Sequence, residues 1–366
     1  MDLTVFVYLF ILLIMFALSY KYSKCNEQKY LLIAISLFVL LIGCRYNVGQ
    51  DYMLYMQTFL DSKNDVNEFW VRNYAGTFEL AFSIFIRFCN SLGLPYYFLF
   101  IFIAFIQIYF LFKYSKQSGA VFPFIIFFYI TCYFQDSMNV MRQFCAFMVI
   151  LNSIVFIKEK CFYKFLLCMM VAFCFHRSSL ILLPFYFFIN KPLNLRISLQ
   201  IVILFTIFFS SNIFYSYLAN TIFPKIEVFL LSQNIGDAYY FSNADVFLTE
   251  KVKGGFGIAS IIALLSDFLI ILNSNKLKSK YKINIEYNLY FIGVIFFYIQ
   301  NLSVTIYRLN LYFITFKFIM LGYLLFEFIK CKKYPLSVFL VAIYIAWYVN
   351  GIFRGANMSP YTFIGE

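Results

Sequence analysis

The sequence predicts an all-α fold: a polytopic membrane bundle of about twelve transmembrane helices with two long extra-membrane segments. Composition is the first reason. The 366 residues are 63% hydrophobic and only 13% charged, where a soluble domain carries about 25% charged residues. The second is run length: apolar runs of roughly 17–20 residues recur from end to end, enough to cross about 30 Å of hydrocarbon as helices. The third is that these runs are continuous rather than alternating. Backbone groups in lipid must be satisfied internally, and continuous runs do this as helices, not as barrel strands.

The elements follow in order. The first run, 3–20, has Asp2 before it and Lys21, Lys24 and Lys29 after it. That is the wrong charge order for a cleaved signal and the right one for a retained helix with its N-terminus outside. A second run, 30–44, ends in Cys44-Arg45 and opens a long external segment, 45–94. Within that segment 77–94 is apolar but carries Glu79 and Arg87. It reads as an interfacial or re-entrant helix, because a crossing there would invert every later loop. Further crossings are expected at 95–112, 120–134, 138–157, 161–175, 178–190 and 197–215. The second external segment, 216–255, holds "DAYYFSNADVF", a stretch expected to order over a site. Crossings at 256–273, 285–301, 306–329 and 335–350 complete the bundle. The aromatic-rich tail, with Gly351, Gly355 and Pro360, is expected to fold back over the external mouth. No internal repeat or linker divides the chain, so 1–366 reads as one domain.

Charge placement orients this bundle. The loops containing 21–29, 113–119, 158–164, 191–196, 274–282 and 330–333 hold 17 of the 29 Lys and Arg residues, 16 of them lysine. They fall on one side, which is therefore cytoplasmic. The formal charge of +12 is thus an orientation signal and not a nucleic-acid footprint. The 52 phenylalanines fit lipid-facing and packing positions better than a ligand platform. Nine cysteines show no CxxC pair and no ligand spacing with the single histidine. Neither a disulfide framework nor a metal site is expected, and no nucleotide or other cofactor motif is present.

The arginines depart from the lysines. Seven of eight, namely Arg45, Arg72, Arg87, Arg142, Arg177, Arg308 and Arg354, map to the external side near helix ends; only Arg196 is cytoplasmic. Ionisable groups near the membrane against the orientation rule point to function, and the arginine fork matches phosphate or carboxylate oxygens. Arg142, expected in the first turns of a helix capped by Asp136 or Ser137, needs either a bound anion or an acid partner, with Asp136 and Asp51 the nearest choices. His176 reads either as a helix C-cap or as a base or phosphate ligand beside Arg177. Asp51 is either a base for an acceptor hydroxyl or a group that orients an arginine. Asp267, inside an apolar run, reads as a polar contact within the bundle.

Five stretches carry a family likeness. "CRYNVGQDYMLYMQTF" resembles the R-x-x-x-G-x-D-x-x-x-Y signature of EpsG/Wzy-type bacterial polysaccharide polymerases, with Arg45, Gly49, Asp51 and Tyr55 in its fixed places. "TFELAFSIFIRF" is similar to the family's Glu-x-Gly-Phe stretch, with Ala81 in place of glycine. "NVMRQFCAFMVIL" resembles its Leu-Arg-Gln helix start, "FCFHRSSLILLPF" its Phe-His-x-Ser segment, and "GANMSPYTF" its terminal Asn-x-x-Pro-Tyr. The likeness implies an inner-membrane enzyme that joins lipid-linked repeat units of O-antigen or a related surface glycan at the periplasmic face. The growing chain would leave undecaprenyl pyrophosphate for the non-reducing end of a new lipid-linked unit. Membrane lipids and a chain-length regulator are the further partners it suggests. On this reading Asp51, His176 and Glu79 are the catalytic candidates, and Arg45, Arg142, Arg177 and Arg308 the pyrophosphate ligands, with no metal. The alternatives are a lipid-linked oligosaccharide flippase and a GT-C-type transferase using a lipid-phosphate sugar.

Overall fold

A computed structural model describes residues 3–64, 79–189, 195–217, 258–298, 304–355 and 357–365, with Lys191 and Leu193. Most of the 216–255 segment, and Arg72, lie outside the described residues. The rest is helical. In chain order the elements are α1 (Leu3–Cys25), α2 (Gln28–Gly43), β1 (Arg45–Tyr46), α3 (Tyr52–Asn64), α4 (Leu80–Ser91) and α5 (Tyr97–Ser115). After a 3-10 turn over Lys116–Val121 come α6 (Phe122–Asn139), α7 (Met141–Lys158), α8 (Phe162–Phe175) and a second 3-10 stretch, Arg177–Phe187. Then follow α9 (Ile197–Tyr217), α10 (Ile258–Tyr281), α11 (Asn284–Phe297), α12 (Val304–Ile314), α13 (Lys317–Lys330), α14 (Tyr334–Arg354) and β2 (Thr362–Phe363).

Among the described residues six stretches are long and apolar enough to cross a membrane: Thr4–Cys25, Tyr97–Asn139, Met141–Lys158, Ser260–Tyr281, Ile306–Lys330 and Tyr334–Arg354. Two details differ from the sequence reading. The 178–190 run is a 3-10 stretch with Pro184 inside it, where proline removes a backbone donor. The 306–329 run is interrupted at Thr315 and Phe316, between α12 and α13. Thr315 Oγ1 donates to the carbonyl of Leu311, a side-chain bond that competes with the helix ladder. The 77–94 segment forms a helix of 12 residues, about 18 Å long and short of the hydrocarbon thickness.

The described residues divide into two compact units, Met1–Asn190 with Leu321–Glu366, and Lys191–Met320. In the first, α1 packs on α2 and α6, α2 on α5, α5 on α7, α7 on α8, and α14 on α6. The tail returns to α1 and α2. Its β2 pairs antiparallel with β1, Arg45 opposite Phe363, and the Tyr361 hydroxyl donates to the Leu41 carbonyl at 2.7 Å. In the second unit α11 packs on α12 and α9 on α10. Asp267 on α10 has 0% exposure. It pairs with Lys317 Nζ at 2.7 Å and accepts from the hydroxyls of Tyr290 at 2.7 Å and Tyr298 at 3.1 Å. The polar contact expected of Asp267 is a buried, fully partnered ion pair.

Candidate active site

The first unit breaks its helix between α6 and α7 at Val140, whose φ of −88° and ψ of 55° are not helical. No Asp136 or Ser137 cap starts α7; the Ser137 hydroxyl instead turns back to the Phe134 carbonyl. The carbonyls exposed by the break need partners, since buried backbone groups rarely go without. Gln107 donates to that of Ser137 at 3.1 Å and, beyond the break, to the Met141 carbonyl in the first turn of α7 at 3.3 Å. Arg45 reaches that of Met138 at 3.4 Å.

Arg45 is 1% exposed. Its other donors go to the carbonyls of Val48 at 3.0 Å and Ile42 at 2.6 Å. Its guanidinium lies over the rings of Phe100 and Tyr52. Arg45 is therefore an internal clamp rather than a group offering donors to a ligand. Just after it, Gly49 adopts a φ of +104°, and a Cβ there would fall 3.1 Å from the Met138 carbonyl oxygen. Gly49 N–H donates to the Asn357 carbonyl at 2.7 Å, and Gln50 N–H to Asn139 Oδ1 at 2.6 Å. This turn starts α3, with Asp51 before its first turn and Tyr55 one turn on.

The break also sets Arg142 at the head of α7. Its acid partner is neither Asp136 nor Asp51 but Glu79, at the N-terminus of α4: Nη1 pairs with Oε2, and Nε donates to the Tyr55 hydroxyl at 3.2 Å. Tyr55 and Phe82 meet edge to face at 5.2 Å beneath the guanidinium. Both belong to a buried cluster with Tyr52, Phe59, Ile86, Phe100 and Cys145. The floor under Arg142 is thus rigid and apolar.

His176 ends α8: its backbone N–H closes the helix on Ala172, while its ring Nδ1 lies 2.5 Å from Glu79 Oε1. The histidine is thus the C-cap of α8 through its backbone, while its ring meets Glu79. The backbone N–H of Arg177 points at the same Glu79 oxygen from 3.4 Å. Helix α4 packs against α8, which brings the acid to the histidine. Burial pushes the Glu79 carboxyl up, but the His176 hydrogen bond and the Arg142 charge outweigh it and hold the group below its ordinary value. Its side chain is 8% exposed, against 18% for Arg142 and 19% for His176. The acid forms the floor of the site, and the two basic groups reach its surface. Arg177 is exposed, and among the described residues its guanidinium has no partner.

Asp51 is half-buried and close enough to the Tyr55 phenol for its charge to act on it. Arg308 is exposed on α12 in the second unit. Among the described residues no group of three or more His, Cys, Asp and Glu side chains could hold a metal. Sequence reading missed two parts of this arrangement: the pairing of Arg142 with Glu79, and the place of Tyr55 under the guanidinium. A lone acid in an apolar segment was the available signal for the first, since a buried carboxylate needs a cation.

Each of the five stretches that carry the family likeness has a residue in this assembly or on the frame beneath it. The family model described as the EpsG family matches residues 28–363. No curated protein and no solved structure matches the chain.

Proposed function

Since the chain belongs to the EpsG family, we propose that it is a surface-polysaccharide polymerase, a glycosyltransferase that joins lipid-pyrophosphate-linked repeat units. The observation that carries this reading is the Glu79 carboxylate, which gathers Arg142 from the head of α7 and His176 with the Arg177 backbone from the end of α8. The reaction needs these parts. As the sugar–phosphate bond breaks, negative charge grows on the pyrophosphate oxygen, and preorganised cations there lower the barrier. Arg177, exposed beside the cluster, is the arginine able to grip that pyrophosphate. Arg142 is held by Glu79 and Tyr55 and contributes its charge from a fixed place. The substrates are undecaprenyl-pyrophosphate oligosaccharides in the inner membrane, and the site faces the periplasm, where no nucleotide sugar is available. Asp51 is the second acid of this reading.

The test is the glycan profile of cells lacking the protein. Loss of the polymer ladder with a single retained repeat unit is expected, with restoration by the wild-type chain but not by Arg177→Ala. Loss of all surface glycan would indicate transport across the membrane instead, and an unchanged ladder would end the polymerase reading.

A further inference from the structure

Resting on that reading, we infer that His176 Nε2 is the base that takes the proton of the acceptor hydroxyl, and that Glu79 is the residue positioning it. The inference starts from hydrogen-bond roles. Glu79 is ionised between two basic groups and can only accept. The short contact at 2.5 Å therefore has Nδ1 as donor. With the proton on Nδ1, a neutral imidazole carries its lone pair on Nε2. Among the described residues Nε2 has no partner, and the ring is partly exposed at the end of α8. An oriented imidazole with an open nitrogen, its other nitrogen held by a buried carboxylate, has the geometry of a base and its orienting group.

The chemistry asks for one base and no acid. The acceptor oxygen bonds to the anomeric carbon of the donor sugar. The bond from that carbon to the pyrophosphate oxygen breaks, and its electron pair leaves with the phosphate as a stable anion. Only the acceptor proton lacks a destination; it goes to Nε2, and from the imidazolium to solvent. The charge created on the ring is met by Glu79. Glu79, from the segment leading into α4, meets the ring, and Arg177 is its neighbour on the chain; Arg142 from α7 adjoins the ring's partner Glu79, and Tyr55 of α3, with Asp51 just before that helix, adjoins Arg142.

Membranes from cells lacking the protein supply the probe, the lipid-linked units that accumulate there. His176→Asn keeps an amide N–H where Nδ1 stood and removes the Nε2 position; His176→Gln does the reverse. Both are expected to lower turnover by about 10²- to 10⁴-fold while inserted protein stays level. Wild-type kcat/KM should rise with pH through one ascending limb between pH 5 and 9. Glu79→Gln should lower kcat more than it raises KM, because the ring loses the carboxylate that orients it and meets its charge. An active, normally inserted His176→Asn overturns the base assignment, as does a wild-type profile flat from pH 5 to 9, which needs no variant to fold. If no single units accumulate in the deletion cells, the polymerase reading fails and this assignment with it. Accumulation together with an active His176→Asn removes the assignment alone.

Discussion

A guanidinium at 1% exposure must place its donors inside the protein, and Arg45 places them on the carbonyls of Ile42, Val48 and Met138. Hydrogen bonds from a charged group contribute about 1.5–3 kcal/mol each. Arg45→Ala is therefore expected to lower the amount of inserted protein several-fold along with polymer, which immunoblots of membranes would show; normal protein with lost polymer would return Arg45 to the substrate. Arg142 differs, being joined to Glu79 and Tyr55 through separate nitrogens. A lysine keeps the charge but not the fork. Arg142→Lys should therefore cut polymer formation, normalised to protein, by roughly ten- to a hundredfold; near-normal ladders would rule out a role for the fork. The Glu79 charge that holds Arg142 survives ordinary acid. A carboxyl held below its usual value stays ionised above about pH 4.5 and is lost only as pH falls through the lowered value. The sequence makes these residues visible as arginines in unexpected places. It does not show which acid meets which arginine, because Glu79 is 63 residues from Arg142 and 97 from His176.

At the level of elements, apolar runs mark where helices lie, and the breaks inside them are harder to see. The α6–α7 break has neither glycine nor proline at Val140. It is held from outside, by Gln107 and Arg45 on the freed carbonyls of Ser137 and Met138. The interruption between α12 and α13 is similar in kind. Thr315 turns back on Leu311, and Lys317, two residues on, anchors α13 to Asp267 on α10. With Asp267 at 0% exposure, removing its cation leaves a buried charge, a loss of about 3–5 kcal/mol. Lys317→Met is expected to lower the thermal stability of detergent-solubilised protein, and Lys317→Met with Asp267→Asn to recover part of it. A single variant as stable as wild type would show that the pair holds nothing together.

For the whole molecule, the lysine loops and the arginine-bearing helix ends carry opposite instructions, and the orientation depends on one short element. If 80–91 crossed the bilayer, every loop after it would change sides relative to Lys21–Lys29. Its 12 residues are too few for that, and one face, Phe82, Ser83, Ile86 and Cys89, is buried in the protein. The other face, Leu80, Ile84 and Phe88, is exposed and apolar, as suits a helix lying at the membrane boundary. If α4 stays on one side throughout, the head of α7 and the end of α8, which share Glu79, are expected on the side opposite Lys21–Lys29. Reporter fusions ending at residues 115 and 280 are expected to report the cytoplasm, and those ending at 65 and 240 the periplasm. A cytoplasmic signal at 65 would place the Glu79 cluster on the inner face, where lipid-linked units are assembled and not joined, and the polymerase reading would fall with the topology.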